Sequence, residues 1–96
     1  METEVKAFET SDAKLVAYLF CLKFSLVKPP YLKGTAVVFS FPDTPEVNLE
    51  VQNFKNKTTK DVGLAFYGSK LAHVKALVYN YRRLEAREEL GGDFNE

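Results

Sequence analysis

The sequence predicts an α+β fold, in which a small antiparallel sheet carries helices on one face and the chain closes with a long C-terminal helix. Three patterns in the 96 residues lead to this fold class. Residues 15–22 are apolar apart from one Tyr hydroxyl, residues 35–41 alternate as a strand does, and residues 62–89 repeat apolar side chains at helical spacing. With the shorter segments between them, they predict the order β-α-β-β-α-α, with the first helix in the middle of the helical layer.

The apolar segment 15–22 is expected to form the helix around which the other elements pack. Thr10-Ser11-Asp12 precedes it, and the short side-chain oxygens of these residues accept the free N–H groups at a helix start. We therefore predict a buried helix over about residues 12–23. Eight apolar residues fall far short of the roughly 20 that span a bilayer, so we expect no membrane association.

Three segments are predicted to form the sheet. The first strand runs from Val5 to Glu9, and the second from Phe24 to Lys28, where Pro29-Pro30 ends it because neither Pro has an N–H to give to a ladder. The clearest strand runs from Thr35 to Phe41, and both of its faces are largely apolar. The second and third strands are expected to form a hairpin with a loop of about six residues.

Two further helices are predicted after the strands. Thr44 caps the first of them and Pro45 takes its first helical position, although the residues that follow also alternate as in a strand. The last helix is predicted over residues 62–89, with Thr59 or Asp61 as its cap. Its apolar stripe consists of Tyr67, Leu71, Val74, Val78 and Tyr81, broadened by Leu77 and Leu84. Gly91-Gly92 is expected to stop it.

The composition is that of a globular domain and not of a disordered chain. A hydrophobic fraction of 46%, with thirteen Phe and Tyr residues, is enough for a core. We expect one compact domain over residues 1–90, followed by a flexible acidic tail at 91–96. The single Cys excludes an intrachain disulfide, and the acidic first residues do not resemble a secretory signal. Both observations favour a reducing, cytoplasmic setting.

Several capping and core motifs together resemble a known family. They are Phe8-x-Thr10-x-Asp12 before an Ala- and Leu-rich helix, Val38-Phe39-Ser40-Phe41, and Leu77-Val78-Tyr79-Asn80. Over most of residues 7–81 this layout resembles a family of small uncharacterised bacterial and phage proteins. The resemblance implies a phage or mobile-element context, and it brings no activity and no catalytic residues. The chain departs from the family pattern at Lys23, where such proteins often have a Gly after the first helix.

Residues that usually carry catalysis or bind metals are sparse. His73 is the only His and has no acid one helical turn away to orient it, whereas Cys21 lies inside the apolar helix. We expect a surface or boundary imidazole and a buried thiol. One His and one Cys do not supply the ligand spacing of a zinc site, and the isolated glycines match no phosphate-binding loop. We therefore predict no enzyme activity, no metal or other cofactor, and no small-molecule substrate.

Charge is unevenly distributed, although the formal net charge is zero. Residues 13–87 carry twelve Lys and Arg against five Asp and Glu, a surplus of seven positive charges, whereas residues 1–12 and 88–96 are acidic. A basic body attracts phosphate, so the first hypothesis is a non-enzymatic protein that binds nucleic acid. The alternative is that these charges only keep the domain soluble. The candidate contacts are Lys28, Lys33, Lys75, Tyr79, Arg82 and Arg83.

The back of the last helix supports a second hypothesis. Ala72, Ala76 and Tyr79 lie opposite the apolar stripe, and small residues allow another backbone to approach closely. The protein would then be a protein–protein adaptor or inhibitor, acting as a homodimer or against a host protein. Ala is also simply a good helix former on an exposed face, so the pattern by itself leaves this choice open.

Overall fold

The computed structural model describes the backbone of residues 7–89 and the side chains of residues 7–84. Its element order is β-α-β-β-α-α, which confirms the predicted fold class. The elements are β1 (Ala7–Thr10), α1 (Ala13–Cys21), β2 (Tyr31–Lys33), β3 (Ala36–Pro42), α2 (Pro45–Lys55) and α3 (Leu64–Glu89). The beginning of the predicted first strand, the Gly91-Gly92 stop and the predicted tail lie outside the described residues.

β3 is the central strand of the sheet, whose order is β1-β3-β2 with both pairs antiparallel. Phe8 of β1 lies opposite Phe41, and Leu32 of β2 lies opposite Val37. Directly opposed residues point to the same side of a sheet, so these apolar side chains share one face. The alternation predicted for this strand is confirmed, because Val37, Phe39 and Phe41 all lie in the core.

The second strand was predicted too early in the chain, since residues 24–28 do not form one. Within that segment, the Val27 N–H donates to the Ser40 carbonyl at 2.9 Å, which ties it to β3. The strand itself begins after Pro29-Pro30, at Tyr31. The two prolines therefore precede β2 instead of ending it, and they lie where a residue without an N–H removes no bond from the ladder.

The hairpin loop is also shorter than predicted. Lys33 pairs with Ala36, so the loop consists of Gly34 and Thr35 alone, where about six residues were expected. Gly34 has a φ of 65° at the first loop position, which is the position that a type II′ turn gives to Gly. This tight turn places the end of β2 beside the start of β3.

The core lies between α1 and the helix-facing side of the sheet. α1 packs against both α2 and α3, so it occupies the middle of the helical layer as predicted. Leu19 of α1, Phe39 of β3, Val47 of α2 and Val74 of α3 are fully buried in one cluster. Within the described residues, α1, α2, α3 and the central strand therefore contribute to one apolar core, whose burial is the main favourable term in folding.

α1 begins as its sequence predicts and ends on a strained residue. Asp12 is the N-cap, and its carboxylate accepts the N–H groups of Lys14 and Leu15 at 3.0 and 3.3 Å. After the last turn, Lys23 has a φ of 71°, its N–H donates to the Phe20 carbonyl at 2.9 Å, and the next residue donates to Leu19 at 3.1 Å. This is the Schellman arrangement, in which Gly is the usual residue because L-residues are strained at positive φ.

α2 also begins as predicted and ends in the same way as α1. The Thr44 hydroxyl accepts the Val47 N–H at 3.2 Å and Pro45 is the first helical residue, which excludes the strand alternative. At the other end, Lys57 has a φ of 61° and donates its N–H to the Phe54 carbonyl at 3.2 Å. Two helices of this small fold thus stop on a Lys where Gly would be unstrained.

Replacing either of these lysines with Gly is expected to stabilise the protein. Left-handed backbone costs an L-residue about 1–2 kcal/mol, and the greater flexibility of Gly when unfolded offsets part of the gain. Lys23→Gly and Lys57→Gly should therefore each raise the free energy of unfolding by about 0.5–1 kcal/mol, measured by denaturant titration. Lys75→Gly, in the interior of α3, is the control and should instead lower it by a similar amount. Equal destabilisation by all three changes would contradict the inference that Lys23 and Lys57 are strained.

α3 begins two residues later than predicted, at Leu64. Neither predicted cap starts it, because Gly63 occupies the N-cap position, where its carbonyl accepts the Tyr67 N–H at 3.0 Å. Asp61 instead accepts the Gly63 N–H at 3.0 Å, before the helix. The predicted apolar stripe does pack on the core, except that Leu84 is 54% exposed. The expected broadening of the stripe by Leu84 is therefore wrong.

Candidate functional site

The outer surface of α3 gathers four of the residues predicted to contact nucleic acid. Lys75, Tyr79, Arg82 and Arg83 are all exposed, whereas Val74, the residue before Lys75, is fully buried. Successive residues of a helix are turned by about 100°, so these four side chains spread over the half of α3 that faces away from the core. Together they form the basic face of α3, as this surface is called below.

Two contacts hold parts of the basic face in place. The Arg82 Nε–H donates to the Thr35 carbonyl at 3.0 Å, which joins α3 to the tight turn between β2 and β3. The Arg83 guanidinium lies 5.8 Å from the centre of the Tyr79 ring, within the range of a cation–π contact. Tyr79 itself is 64% exposed, so one side of its ring remains open.

The two predicted contacts on the hairpin lie apart from the basic face. Lys33 is exposed at the end of β2 and opposes Ala36, which places it on the face of the sheet away from the helices. Lys28 pairs with Glu9 at 3.5 Å and lies 5.0 Å from the centre of the Tyr31 ring on that same face. The structure therefore brings together the four α3 residues but not all six predicted contacts.

Glu9 connects the polar side chains on this face of the sheet through hydrogen bonds. Its carboxylate accepts the Tyr31 hydroxyl at 3.0 Å and the Ser40 hydroxyl at 3.2 Å. The Tyr31 bond is the main cause that lowers the pKa of Glu9, with Ser40 and Lys28 adding to it against the effect of burial. The same bond raises the pKa of Tyr31. Because Lys28 is already paired with the Glu9 carboxylate, it is less available to a phosphate than the α3 residues.

The predicted protein seam is exposed along its whole length. Ala72, Ala76 and Tyr79 lie three and four residues apart on the outer side of α3, and all three are accessible to solvent. Tyr79 belongs to both this seam and the basic face. Any partner on the seam would therefore compete with a ligand on the basic face.

A buried polar network under the α2–α3 connection was not predicted. Glu50 is only 3% exposed, and its carboxylate accepts the Tyr18 hydroxyl at 2.8 Å and an Asn53 amide N–H at 3.2 Å. Lys60 makes two contacts with this network. Its Nζ lies 2.8 Å from the Glu50 carboxylate, and its backbone N–H donates to the Tyr18 hydroxyl at 2.9 Å. The network fastens the connection to α1, the central helix.

The Lys60 ammonium is the main cause that lowers the pKa of Glu50, helped by Tyr18 and Asn53 and opposed by burial. Bonding to Glu50 in turn raises the pKa of Lys60. A signal for this network exists in the sequence, because Glu50 lies three residues after Val47 and therefore shares the buried face of α2. A carboxylate on such a face requires partners.

The remaining reactive side chains lie where the sequence indicates. Cys21 is buried, and burial raises the pKa of its thiol. His73 is exposed on α3. Among the described residues, no group of three His, Cys, Asp or Glu side chains is placed to hold a metal ion. No helix in this part of the chain has both the length and the apolar composition to cross a membrane.

Comparison with known proteins agrees with the resemblance found in the motifs. Residues 5–80 match the family model described as a domain of unknown function, DUF5659. No curated protein and no solved structure matches the chain. The match spans most of the chain and includes the whole sheet, α1, α2 and the greater part of α3. The chain therefore belongs to the DUF5659 family, for which no activity is known.

Proposed function

We propose that this protein is a non-enzymatic binding protein that associates with nucleic acid through the basic face of α3, in a phage or mobile-element setting. The observation that carries the proposal is the joint exposure of Lys75, Tyr79, Arg82 and Arg83 on one helix. The setting comes from the family resemblance. Single-stranded nucleic acid is the favoured ligand, because cations that follow a backbone and an aromatic ring that stacks on bases are what such strands bind.

Charge supports the proposal. Residues 7–84 carry eleven Lys and Arg against six Asp and Glu, a surplus of five positive charges. Two of the six acids, Glu9 and Glu50, are paired with Lys28 and Lys60. From residue 64 to residue 84, α3 has four Lys and Arg and no Asp or Glu. This part of the helix therefore presents positive charge without a carboxylate of its own to compete with phosphate.

The geometry of Tyr79 and its neighbours adds a second kind of contact. An exposed ring that stacks on a base contributes about 1–3 kcal/mol. Arg83 lies against this ring, and Arg82 is tied to the hairpin turn through Thr35. Both contacts restrict side chains that would otherwise lose rotamer freedom on binding, which reduces the entropic cost of association.

The test is a titration of the protein with a fluorescent single-stranded oligonucleotide at several salt concentrations. We expect binding at about 50 mM salt that weakens as salt increases, because phosphate contacts release counterions. Arg82→Gln/Arg83→Gln should weaken binding and reduce the slope of log K against log salt by about 1.4, at about 0.7 per lost phosphate contact. Tyr79→Ala should weaken binding without changing that slope, since it removes stacking and no charge.

A matched control tests whether binding depends on the basic face or only on the total charge of the protein. Lys55→Gln/Lys57→Gln also removes two positive charges, at the C-terminal end of α2 and not on α3. This variant should bind as the wild type does. Equal weakening by both double variants, or no binding at about 50 mM salt, would remove the proposal.

The alternative function is a protein–protein adaptor or inhibitor that uses the seam of Ala72, Ala76 and Tyr79, as a homodimer or against a host protein. It is favoured by the exposure of a large aromatic side chain beside two small residues. Sedimentation analysis should then show a dimer that Ala76→Arg converts to a monomer. A monomer both before and after this substitution would count against self-association.

A further inference from the structure

An open pocket of about 460 Å³, called the cavity below, lies beside α3 at the C-terminal end of α1. Its volume falls within the range of about 300–1,000 Å³ that is usual for small-molecule sites. It opens between the end of α1, the irregular segment before β2 and the first half of α3. The residues around it are Phe20, Lys23, Phe24, Ser25, Leu26, Lys70 and His73.

The polar groups of this cavity are suited to an anion. Two ammonium groups, one imidazole and one hydroxyl line it, and no carboxylate does. Within residues 7–84, the salt bridges are those of Lys28 and Lys60, so Lys23 and Lys70 are not paired with an acid there. Lysine binds phosphate as a point charge, while imidazole and hydroxyl groups can donate hydrogen bonds to its oxygens.

The backbone holds one of these cations in a strained position. Lys23 adopts a φ of 71°, and the hydrogen bonds of the Schellman arrangement fix its backbone at the edge of the cavity. Strained residues that the surrounding structure holds in place are found preferentially at ligand-binding sites. Lys57 adopts the same conformation at the end of α2, so what distinguishes Lys23 is its place in the cavity with Lys70.

The apolar part of the lining is firmly supported. Phe20 packs against Phe41 with ring centroids 5.6 Å apart, and Phe41 is fully buried in the core. Phe24 and Leu26 are partly buried against the same core. The cavity thus places an apolar wall next to its cations, which is a common combination in sites for organic ligands.

We propose that this cavity binds a phosphate monoester whose organic group is apolar or planar. Lys23 and Lys70 hold the phosphate, Ser25 and His73 donate to its oxygens, and the organic group lies against Phe24 and the neighbouring apolar wall. The site does not depend on the basic face. At about 100° per residue, Lys70 and His73 project from one flank of α3, and Lys75 and Arg82 project from the other.

Phenyl phosphate is a suitable probe, because it combines a phosphate monoester with an apolar ring. Titration followed by the amide NMR signals should give saturable shifts around residues 23–26 and 70–73, with a Kd of about 1 mM or tighter. Inorganic phosphate, which lacks the ring, should bind more weakly. The phosphate ester can be a free small molecule or the end of a nucleic-acid strand. Tighter binding of a 5′-phosphorylated oligonucleotide than of its 5′-hydroxyl form would identify the strand end, and equal binding the free ester.

Three single substitutions decide the assignment. Lys23→Gly removes a cation from the cavity while relieving backbone strain, so it should remain folded. Lys23→Gly and Lys70→Gln should each weaken phenyl phosphate binding about tenfold, the loss expected for one charge-assisted hydrogen bond. Lys55→Gln makes the same charge change on α2, outside both the cavity and the basic face, and should leave the Kd unchanged. Equal weakening by all three, or no saturable binding, would overturn the proposal whatever the oligonucleotide titration of the basic face shows.

Discussion

Leu19→Asp is expected to unfold the protein. Leu19 is fully buried in α1, where it lies in the core with residues of the other helices and of β3. Truncating a buried Leu to Ala already costs about 2–5 kcal/mol. An unpaired carboxylate at the same position adds a desolvation cost that its surroundings do not offset. A domain of this size is stable by only about 5–15 kcal/mol, so the combined loss should remove the folded state.

Circular dichroism during heating measures this effect directly. The Leu19→Asp variant should have no cooperative melting transition, whereas the wild type should have one. Leu49→Asp is the matched control, because Leu49 of α2 is 59% exposed and its replacement leaves the new carboxylate in water. That variant should melt within a few degrees of the wild type. A native transition in Leu19→Asp would mean that α1 is not the centre of the core.

Glu50→Ala should be the next most damaging change, with a loss of about 2–3 kcal/mol in the free energy of unfolding. The substitution deprives the buried Tyr18 hydroxyl of its acceptor and leaves the Lys60 ammonium without its partner. Lys60 is mostly exposed and can turn to water, so the main cost arises at Tyr18. The α2–α3 connection, which the network fastens to α1, should loosen and exchange its amide hydrogens faster.

The same network predicts how stability changes with pH. The folded pKa of Glu50 lies below its ordinary value of 4.5. Its stabilising effect is therefore complete above the ordinary value and is lost as pH falls through the folded pKa, because the unfolded chain binds the proton first. Urea titrations between about pH 7 and pH 3 should show this loss in the wild type. Glu50→Gln should reduce the slope of stability against pH in this range.

Glu46→Gln is the control for the Glu50 substitutions, because it removes an exposed carboxylate from the same helix. Glu46 lies in the first turn of α2 and is exposed, so its replacement should change stability at neutral pH by less than about 1 kcal/mol. If Glu50→Ala were no more destabilising than Glu46→Gln, the buried network would not stabilise the fold. Faster amide exchange confined to the α2–α3 connection would distinguish local loosening from a general loss of stability.

Most of the fold could be predicted because its signals are local. Asp12 and Thr44 cap their helices with their own side chains, and α3 presents an apolar side chain to the core at every turn. β3 is long enough for its alternation to be read. In each case the residues that carry the signal also make the contact, so neither the strand order nor the sheet register is needed to interpret them.

β2 could not be predicted in the same way, because a partner decides where it forms. Tyr31–Lys33 is too short to show a pattern, and it becomes a strand by pairing with the free edge of β3. The strand was predicted at residues 24–28 instead, because that segment is more apolar. The site shows the same division. Tyr79 was correctly placed on the outer side of α3, whereas the pairing of Lys28 with Glu9 depends on the register of β1 against β3.

The sequence by itself determined the element order, the central position of α1 and the exposure of Tyr79 opposite the apolar stripe of α3. These follow from hydrophobic periodicity and from capping, both of which act over a few residues. Tertiary structure alone decided the position of β2, the burial of Glu50 beside Tyr18 and Lys60, and the cavity that brings Lys23 to Lys70. Each of these joins residues distant in the chain, and only the packing of α1 against the sheet and the other helices brings them together.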